Sequence, residues 1–256
     1  MSAKTPLMSL VLLCLAPSFG GLALAQDSAK ARAVADPSLR PFLETAYRSW
    51  QDATRRQDLR AWEQATALSR QIKTRNRIVS QRLRFPDAMF NDPIAPPPLD
   101  GLTHLGILST GNTATATYFG RANFGGDAAA ITENLLVTHF LKESGQWKFD
   151  SLRIVIVSAD SDLFARARRG DTSFLSGPEF QPAPSLPPLI EPVLTPDLVT
   201  EAWVDATGCE IKLTVNGHPN GTFTNVKRAE LVIGGLRKGE NQISIEARRL
   251  NPSSAA

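Results

Sequence analysis

The chain has 256 residues, of which 42% are hydrophobic, and a formal net charge of +3. A composition of this kind is ordinary for a folded protein of one or two domains. No apolar run after Ala25 approaches the roughly 20 residues that a spanning helix needs, so the composition excludes a helical membrane protein.

The amino terminus has the pattern of a secretory signal peptide. Lys4 precedes an apolar run at 7–16, and the small residues Ala23 and Ala25 then mark a cleavage site before Gln26. The sequence therefore predicts a signal peptide at 1–25 and a periplasmic or extracellular protein. After cleavage Cys209 is the one remaining cysteine, so no internal disulfide is expected.

Helical spacing dominates the first part of the exported chain, after a short leader at 26–36. Apolar residues recur at three- and four-residue steps over 41–53, 59–68 and 70–83, which predicts three helices. Pro41 suits a first helical turn, and Asp58 is a plausible cap. Phe85-Pro86 ends the third helix.

The residue pattern then changes to the alternation with a period of two that is typical of strands. Two hairpins are predicted, 102–121 around Thr110-Gly111-Asn112 and 132–157 around Glu143-Ser144-Gly145. The fold class is therefore predicted as α+β, with three helices packed on a bent four-stranded antiparallel sheet over 37–158.

The last third of the chain is predicted as a linker and a small β domain. Seven prolines in 178–196 indicate an extended connector within a linker spanning 159–196. Short strands separated by Gly and Asn turns then predict an all-β sandwich at 197–250, followed by a tail at 251–256.

Residues 38–157 resemble the nuclear transport factor 2-like superfamily, whose fold is also called SnoaL-like or a cystatin-like cone. The resemblance is carried by the helix at 42–50, by 57–62, and by Gly145-Gln146-Trp147-Lys148-Phe149-Asp150. It implies a bent sheet around a long helix, with a conical pocket between them. Members include isomerases, dehydratases, hydrolases and non-catalytic binding or dimerising modules, so the fold does not give the function. The carboxy-terminal part resembles a short immunoglobulin-like sandwich.

The catalytic candidates centre on His139. It shares its strand parity with Glu133, and Asp150 lies on the neighbouring predicted strand. Enzymes of the resembled superfamily use a pocket carboxylate or a His–Asp pair as general base, which makes His139, Asp150 and Glu133 the candidates. The alternative is a core histidine with structural hydrogen bonds.

Four residues are predicted to line a ligand pocket: Asn76, Arg75, Tyr118 and His139. Asn76 falls on the apolar stripe of the third helix, so it needs partners if it is buried. A structural hydrogen bond between helix and sheet is the alternative. The three histidines are far apart and no phosphate-binding or nucleophile motif occurs, so neither a metal nor a cofactor is expected.

Residues 55–84 carry nine basic side chains against two acidic ones. This charge predicts a surface for an anionic partner, whereas the alternative is an ordinary solvated helix face. The predicted surface comprises Arg70, Lys73, Arg77, Arg82 and Arg84.

These features predict an exported, non-enzymatic protein of two modules that binds a small ligand, a protein or an anionic component of the cell envelope. Two alternatives stay open: a small-molecule isomerase, dehydratase or hydrolase, and a structural protein that forms homodimers. Nucleic acid is not expected as a partner, because the chain is exported and shows no basic groove interleaved with aromatic residues.

Overall fold

The computed structural model describes residues 33–91, 96–122, 132–158 and 161–250, and the backbone of 8–12. Most of the predicted signal peptide, its cleavage site and the predicted tail lie outside these residues. Contacts between Cα atoms divide the chain into two compact units. Unit 1 contains 1–26, 72–89 and 190–256, and unit 2 contains 27–71 and 90–189.

Unit 2 is built on a five-stranded antiparallel sheet with the order β2-β3-β4-β5-β6. The prediction of an antiparallel α+β fold is confirmed, but the sheet has one strand more than predicted. The extra strand, β2, lies in the predicted leader, where two residues are too few to show a period. The strands are β2 (Val34–Ala35), β3 (Thr103–Ser109), β4 (Thr113–Gly120), β5 (Asn134–Glu143) and β6 (Gln146–Val155).

Two helices of unit 2 precede the hairpins. Helix α1 (Arg40–Arg55) has Pro41 in its first turn and buries Leu43 and Tyr47. Helix α2 (Leu59–Ala65) is capped by Asp58, whose carboxylate accepts the Ala61 backbone N–H at 3.0 Å. It ends three residues earlier than predicted, because Thr66 is extended and forms a β-bridge with Phe149.

The two faces of this sheet carry separate hydrophobic clusters, because successive side chains of a strand point to opposite sides. On one face, Leu136 and Phe140 pack with Leu43 and Tyr47 of α1. On the other, Leu135 and Val137 pack with residues from the segment after β6. That segment comprises α5 (Asp162–Arg168) and 3-10 turns at Ser173–Ser176 and Pro178–Phe180.

The predicted linker at 159–196 therefore differs from a simple connector. Phe174, Leu175 and Phe180 are buried in the second cluster of unit 2. Val193 is 1% exposed and belongs to unit 1. Proline-rich composition indicates an extended backbone, but it does not reveal where an extended backbone buries its few apolar side chains.

Unit 1 contains two three-stranded sheets around one hydrophobic cluster. The first has the order β1-β7-β10 and the second the order β11-β8-β9. Strand β1 pairs in parallel with β7, whereas the other pairs are antiparallel. The strands are β1 (Met8–Leu12), β7 (Thr200–Asp205), β8 (Cys209–Val215), β9 (His218–Thr224), β10 (Lys227–Leu231) and β11 (Ile243–Arg249).

Helix α3 (Leu68–Ser80) is divided between the units, since unit 1 begins at Ile72. The sequence placed this helix on the larger sheet with α1 and α2. Instead, Asn76 near its carboxy-terminal end bonds residues 191 and 193 of unit 1. A short helix α4 (Asp87–Phe90) follows.

Candidate functional site

The space between α1 and the sheet of unit 2 is filled by aromatic side chains. Trp50 stacks on Phe149 with ring centroids 3.8 Å apart, and Tyr47 meets Phe149 edge-on at 5.5 Å. Phe140 adds a further edge contact at 6.1 Å. The Tyr47 hydroxyl donates to the Pro97 carbonyl at 2.7 Å, and burial raises the pKa of Tyr47 above its ordinary value.

A polar cluster borders this aromatic interior. Glu44 on α1 accepts hydrogen bonds from Arg40 at 2.7 Å and Arg48 at 3.1 Å. The charge of Glu44 acts on Tyr118 of β4, and His104 on β3 lies edge-on to the Tyr118 ring at 5.4 Å. One acid, one phenol and one imidazole therefore meet where α1 crosses β3 and β4.

The ionisation of this cluster follows from burial and from its arginines. Burial raises the pKa of Glu44, but the hydrogen bond from Arg40 and the charges of Arg40 and Arg48 outweigh it, so the pKa is lowered. Burial and then the Arg40 charge lower the pKa of His104. Burial and then Glu44 raise the pKa of Tyr118. At neutral pH the cluster thus holds a carboxylate, a neutral imidazole and a neutral phenol.

Tyr118 was predicted as a pocket residue, whereas Glu44 and His104 were not. The acid that acts on Tyr118 comes from α1 and not from a neighbouring strand. The signal was nevertheless present: Arg40, Glu44 and Arg48 recur at four-residue steps, which places them on one helix face. The His104 Nε2 atom is buried without a hydrogen-bond partner.

The predicted catalytic residue His139 does not face α1. His139 shares its sheet face with Leu135 and Val137, which is the face covered by the segment after β6. Burial lowers the pKa of His139, the Asp150 charge opposes this, and the Arg153 charge adds to it. Asp150 instead accepts hydrogen bonds from Ser69 at 3.4 Å and Ser151 at 3.1 Å.

Glu133 lies six residues before His139, which corresponds to about 20 Å along a strand. It precedes the first residue of β5. The pairing of His139 with Glu133 that the sequence suggested is therefore not formed.

Asn76 and Arg75, predicted as pocket residues, bond the backbone of unit 1. The Asn76 amide donates to the Glu191 carbonyl at 2.9 Å and accepts the Val193 N–H at 2.9 Å. Arg75 donates to the Val193 carbonyl at 2.9 Å. Asn76 is 2% exposed, and these bonds correspond to the structural alternative rather than to a pocket floor.

The predicted anionic-partner surface separates into two groups. Arg82 donates to the Asp197 carbonyl at 3.2 Å, and Arg84 pairs with Asp87 at 3.5 Å. Arg70, Lys73 and Arg77 are exposed along α3, at three- and four-residue steps on one helix face.

One concavity of unit 2 lies outside the aromatic interior. It is an open cleft of about 670 Å³ between α1, α2 and the turn that joins β5 to β6. Phe42, which is 61% exposed, and Trp147 stand beside it, and Ala46, Ala61 and Ala65 are the small apolar residues of its lining. Polar side chains complete the lining: Thr45, Ser49, Asp52, Arg56, Gln64 and Gln146.

Comparisons of the chain with protein-family models, curated proteins and solved structures found no match. Among the described residues, no group of His, Cys, Asp and Glu side chains could hold a metal ion. Within the same part of the chain, no helix is long and apolar enough to cross a membrane.

Proposed function

We propose that this chain is an exported, non-enzymatic protein of two modules whose first module binds an extended segment of a protein partner. The main support for this proposal is that the interior between α1 and the sheet is filled, whereas the cleft outside α1 is open. Leu43, Tyr47, Tyr118, Phe140 and Phe149 pack together between α1 and the sheet, where the resemblance implies a conical pocket. The cleft outside α1 is instead open to solvent.

The lining of the cleft suits a peptide. Phe42 and Trp147 offer aromatic surface to an apolar side chain, and the alanines let a backbone approach closely. Ser49, Thr45 and Gln64 supply donors and acceptors for peptide groups. Asp52 and Arg56 place both signs of charge at the rim, which suits a segment of mixed charge better than a simple anion.

Two placements support binding over catalysis. His139 lies on the sheet face opposite α1, and Asp150 is bonded to Ser69 and Ser151 instead of to His139. The residues predicted as acid and base therefore do not line the open cleft. For the anionic partner that the sequence also predicts, Lys73 and Arg77 are the exposed positions to examine.

A displayed random peptide library selected against the purified chain tests the proposal. Selected peptides are expected to lose at least tenfold in affinity for Phe42→Ala, measured by fluorescence polarisation, because a large aromatic contact is removed. Val34→Ala is the matched control, since Val34 is 60% exposed, apolar and absent from the cleft lining. Failure to select any peptide, or equal affinity for both variants, would refute the proposal.

Export is part of the same proposal and rests on the predicted signal peptide. Mass spectrometry of the exported protein is expected to find Gln26 at the amino terminus. Recovery of chains that retain Met1 outside the cytoplasm would contradict it.

A further inference from the structure

The sheet edges of unit 1 differ in how well they are protected against strand addition. Natural sheets protect their edges with proline, bulges, charge or short strands. Strand β9 carries Pro219 and a register shift against β8. Strand β10 has five residues, of which Lys227 and Arg228 are exposed.

Strand β11 has exposed charges at Glu246, Arg248 and Arg249, but it has neither the proline, the register shift nor the short length of the other two. It is seven residues long, contains no proline, and pairs with β8 in unbroken register. Ile243 and Ile245 stand opposite Val215 and Leu213, so they point to the same face as these buried residues. They are nevertheless 36% and 48% exposed. An apolar strip therefore lies on the core-facing side of an open edge.

The hydrogen-bond pattern shows which residues of β11 present free backbone groups. The Asn216 N–H donates to the Gln242 carbonyl at 2.8 Å, and the Leu250 N–H donates to the Gly208 carbonyl at 3.0 Å. Even-numbered residues of this stretch thus turn their backbone groups toward β8. By alternation, Ile243, Ile245 and Ala247 direct their N–H and C=O groups outward.

We infer that β11 pairs with β11 of a second copy of this chain, antiparallel across a two-fold axis, so that two three-stranded sheets join into one of six. The register that places Ile245 opposite its own copy also places Ile243 opposite Ala247 and Ser244 opposite Glu246. It joins the apolar strips of both copies and lets the outward-facing groups bond each other. A shift of one residue in each copy would set Glu246 directly against Glu246, which is repulsive.

The occupant is a second copy because β11 complements itself. In this register Arg248 falls opposite Gln242 and Arg249 opposite Asn241, so no like charges stand directly opposite each other. One strand pair and one apolar strip form a small contact, below the roughly 1,200 Å² of stable interfaces. The dimer is therefore weak and concentration-dependent. This inference does not depend on the peptide cleft.

Analytical ultracentrifugation over a concentration series tests it, with the full chain and with the chain that begins at Gln26. The mass is expected to rise toward that of a dimer. Ala247→Pro should keep it at the monomer value, because Pro removes an outward N–H without removing a bond to β8. A melting curve checks that the variant is folded. A mass that never rises, or an Ala247→Pro chain that associates equally, would overturn the inference.

Disulfide trapping tests the register. Residues opposite each other in a hydrogen-bonded antiparallel pair have Cα atoms about 5.5 Å apart, which a disulfide spans. Ile245→Cys should therefore yield a covalent dimer under mild oxidation. Ser244→Cys and Lys227→Cys are controls, since the first faces Glu246 of the copy and the second lies on β10. Equal trapping at all three positions would overturn the register.

Discussion

The side chain of Asn76 holds the backbone of Val193, because its Oδ1 atom accepts the Val193 N–H at 2.9 Å where both residues are almost completely buried. The same side chain donates to Glu191. A residue that the sequence presented as a ligand contact thus fixes the end of the proline-rich segment in unit 1.

Asn76→Ala is expected to lower the free energy of unfolding of unit 1 by about 1–3 kcal/mol, because a buried N–H and a buried carbonyl lose their partner. Hydrogen exchange at Val193 and urea unfolding measure the effect. Arg77→Ala, an exposed change one residue away, is the control and should stay within about 0.5 kcal/mol of the wild type. An equal effect of the two changes would contradict the role of Asn76.

Gly106→Ala should destabilise unit 2, because an added Cβ would lie 2.7 Å from Leu175 Cδ1. The expected cost is about 1–3 kcal/mol in the free energy of unfolding. Leu175→Ala removes the clashing atom, so Gly106→Ala should cost less in that background. Thermal unfolding of the four proteins of this double-mutant cycle measures the coupling. Identical costs in both backgrounds would show that this contact does not limit residue 106.

Acidification should destabilise unit 2 through His104 and His139. Burial lowers the pKa of both, with Arg40 and Arg153 acting in the same sense and Glu44 and Asp150 opposing. The unfolded chain therefore binds protons more readily, so stability is full above about pH 6.5 and falls as pH drops below it. His139→Gln should flatten this dependence between pH 7.5 and 5.5, measured by urea unfolding. Parallel curves for the two proteins would contradict the prediction.

Arg75→Glu and Arg77→Glu should distinguish an arginine that stabilises the fold from one that only contributes charge to the surface. Arg75 bonds the Val193 carbonyl, so its reversal is expected to destabilise unit 1 by about 1–3 kcal/mol. Arg77→Glu should leave stability unchanged while weakening any salt-sensitive binding of acidic polysaccharide or anionic vesicles. Urea unfolding and co-sedimentation at two salt concentrations measure the two effects. Binding that is unchanged by salt and by Arg77→Glu would show that this face of α3 is an ordinary solvated surface.

The antiparallel strands of unit 2 could be predicted because each hairpin is specified locally, by alternation and by turn residues such as Gly111 and Gly145. Helix α1 could be predicted equally well from its apolar spacing. The side of the sheet that His139 faces could not be predicted. That depends on which elements cover each face, and the covering residues Phe174 and Phe180 lie more than 30 positions away in a segment whose prolines suggested a linker.

The candidate site shows the same limit. The charge of Glu44 acts on Tyr118 across 74 positions, and no local pattern connects a helix acid to a particular strand residue. Asn76 was predicted to need partners if it is buried, and it is 2% exposed. Its partners are backbone groups of Glu191 and Val193, which have no side-chain signature, so a pocket and a structural brace could not be distinguished from spacing alone.

Strand β1 lies within the predicted signal peptide, and it forms five parallel pairs with β7 from Met8–Thr200 to Leu12–Val204. If the chain is cut before Gln26, as we propose, the first sheet of unit 1 loses a strand, and the β7 amides on the side of β1 lose their protection while those on the side of β10 keep theirs. A recombinant protein that keeps residues 8–12 is then a different folding unit from the exported one. Measurements of stability, solubility and amide exchange made on the uncut chain would describe the precursor.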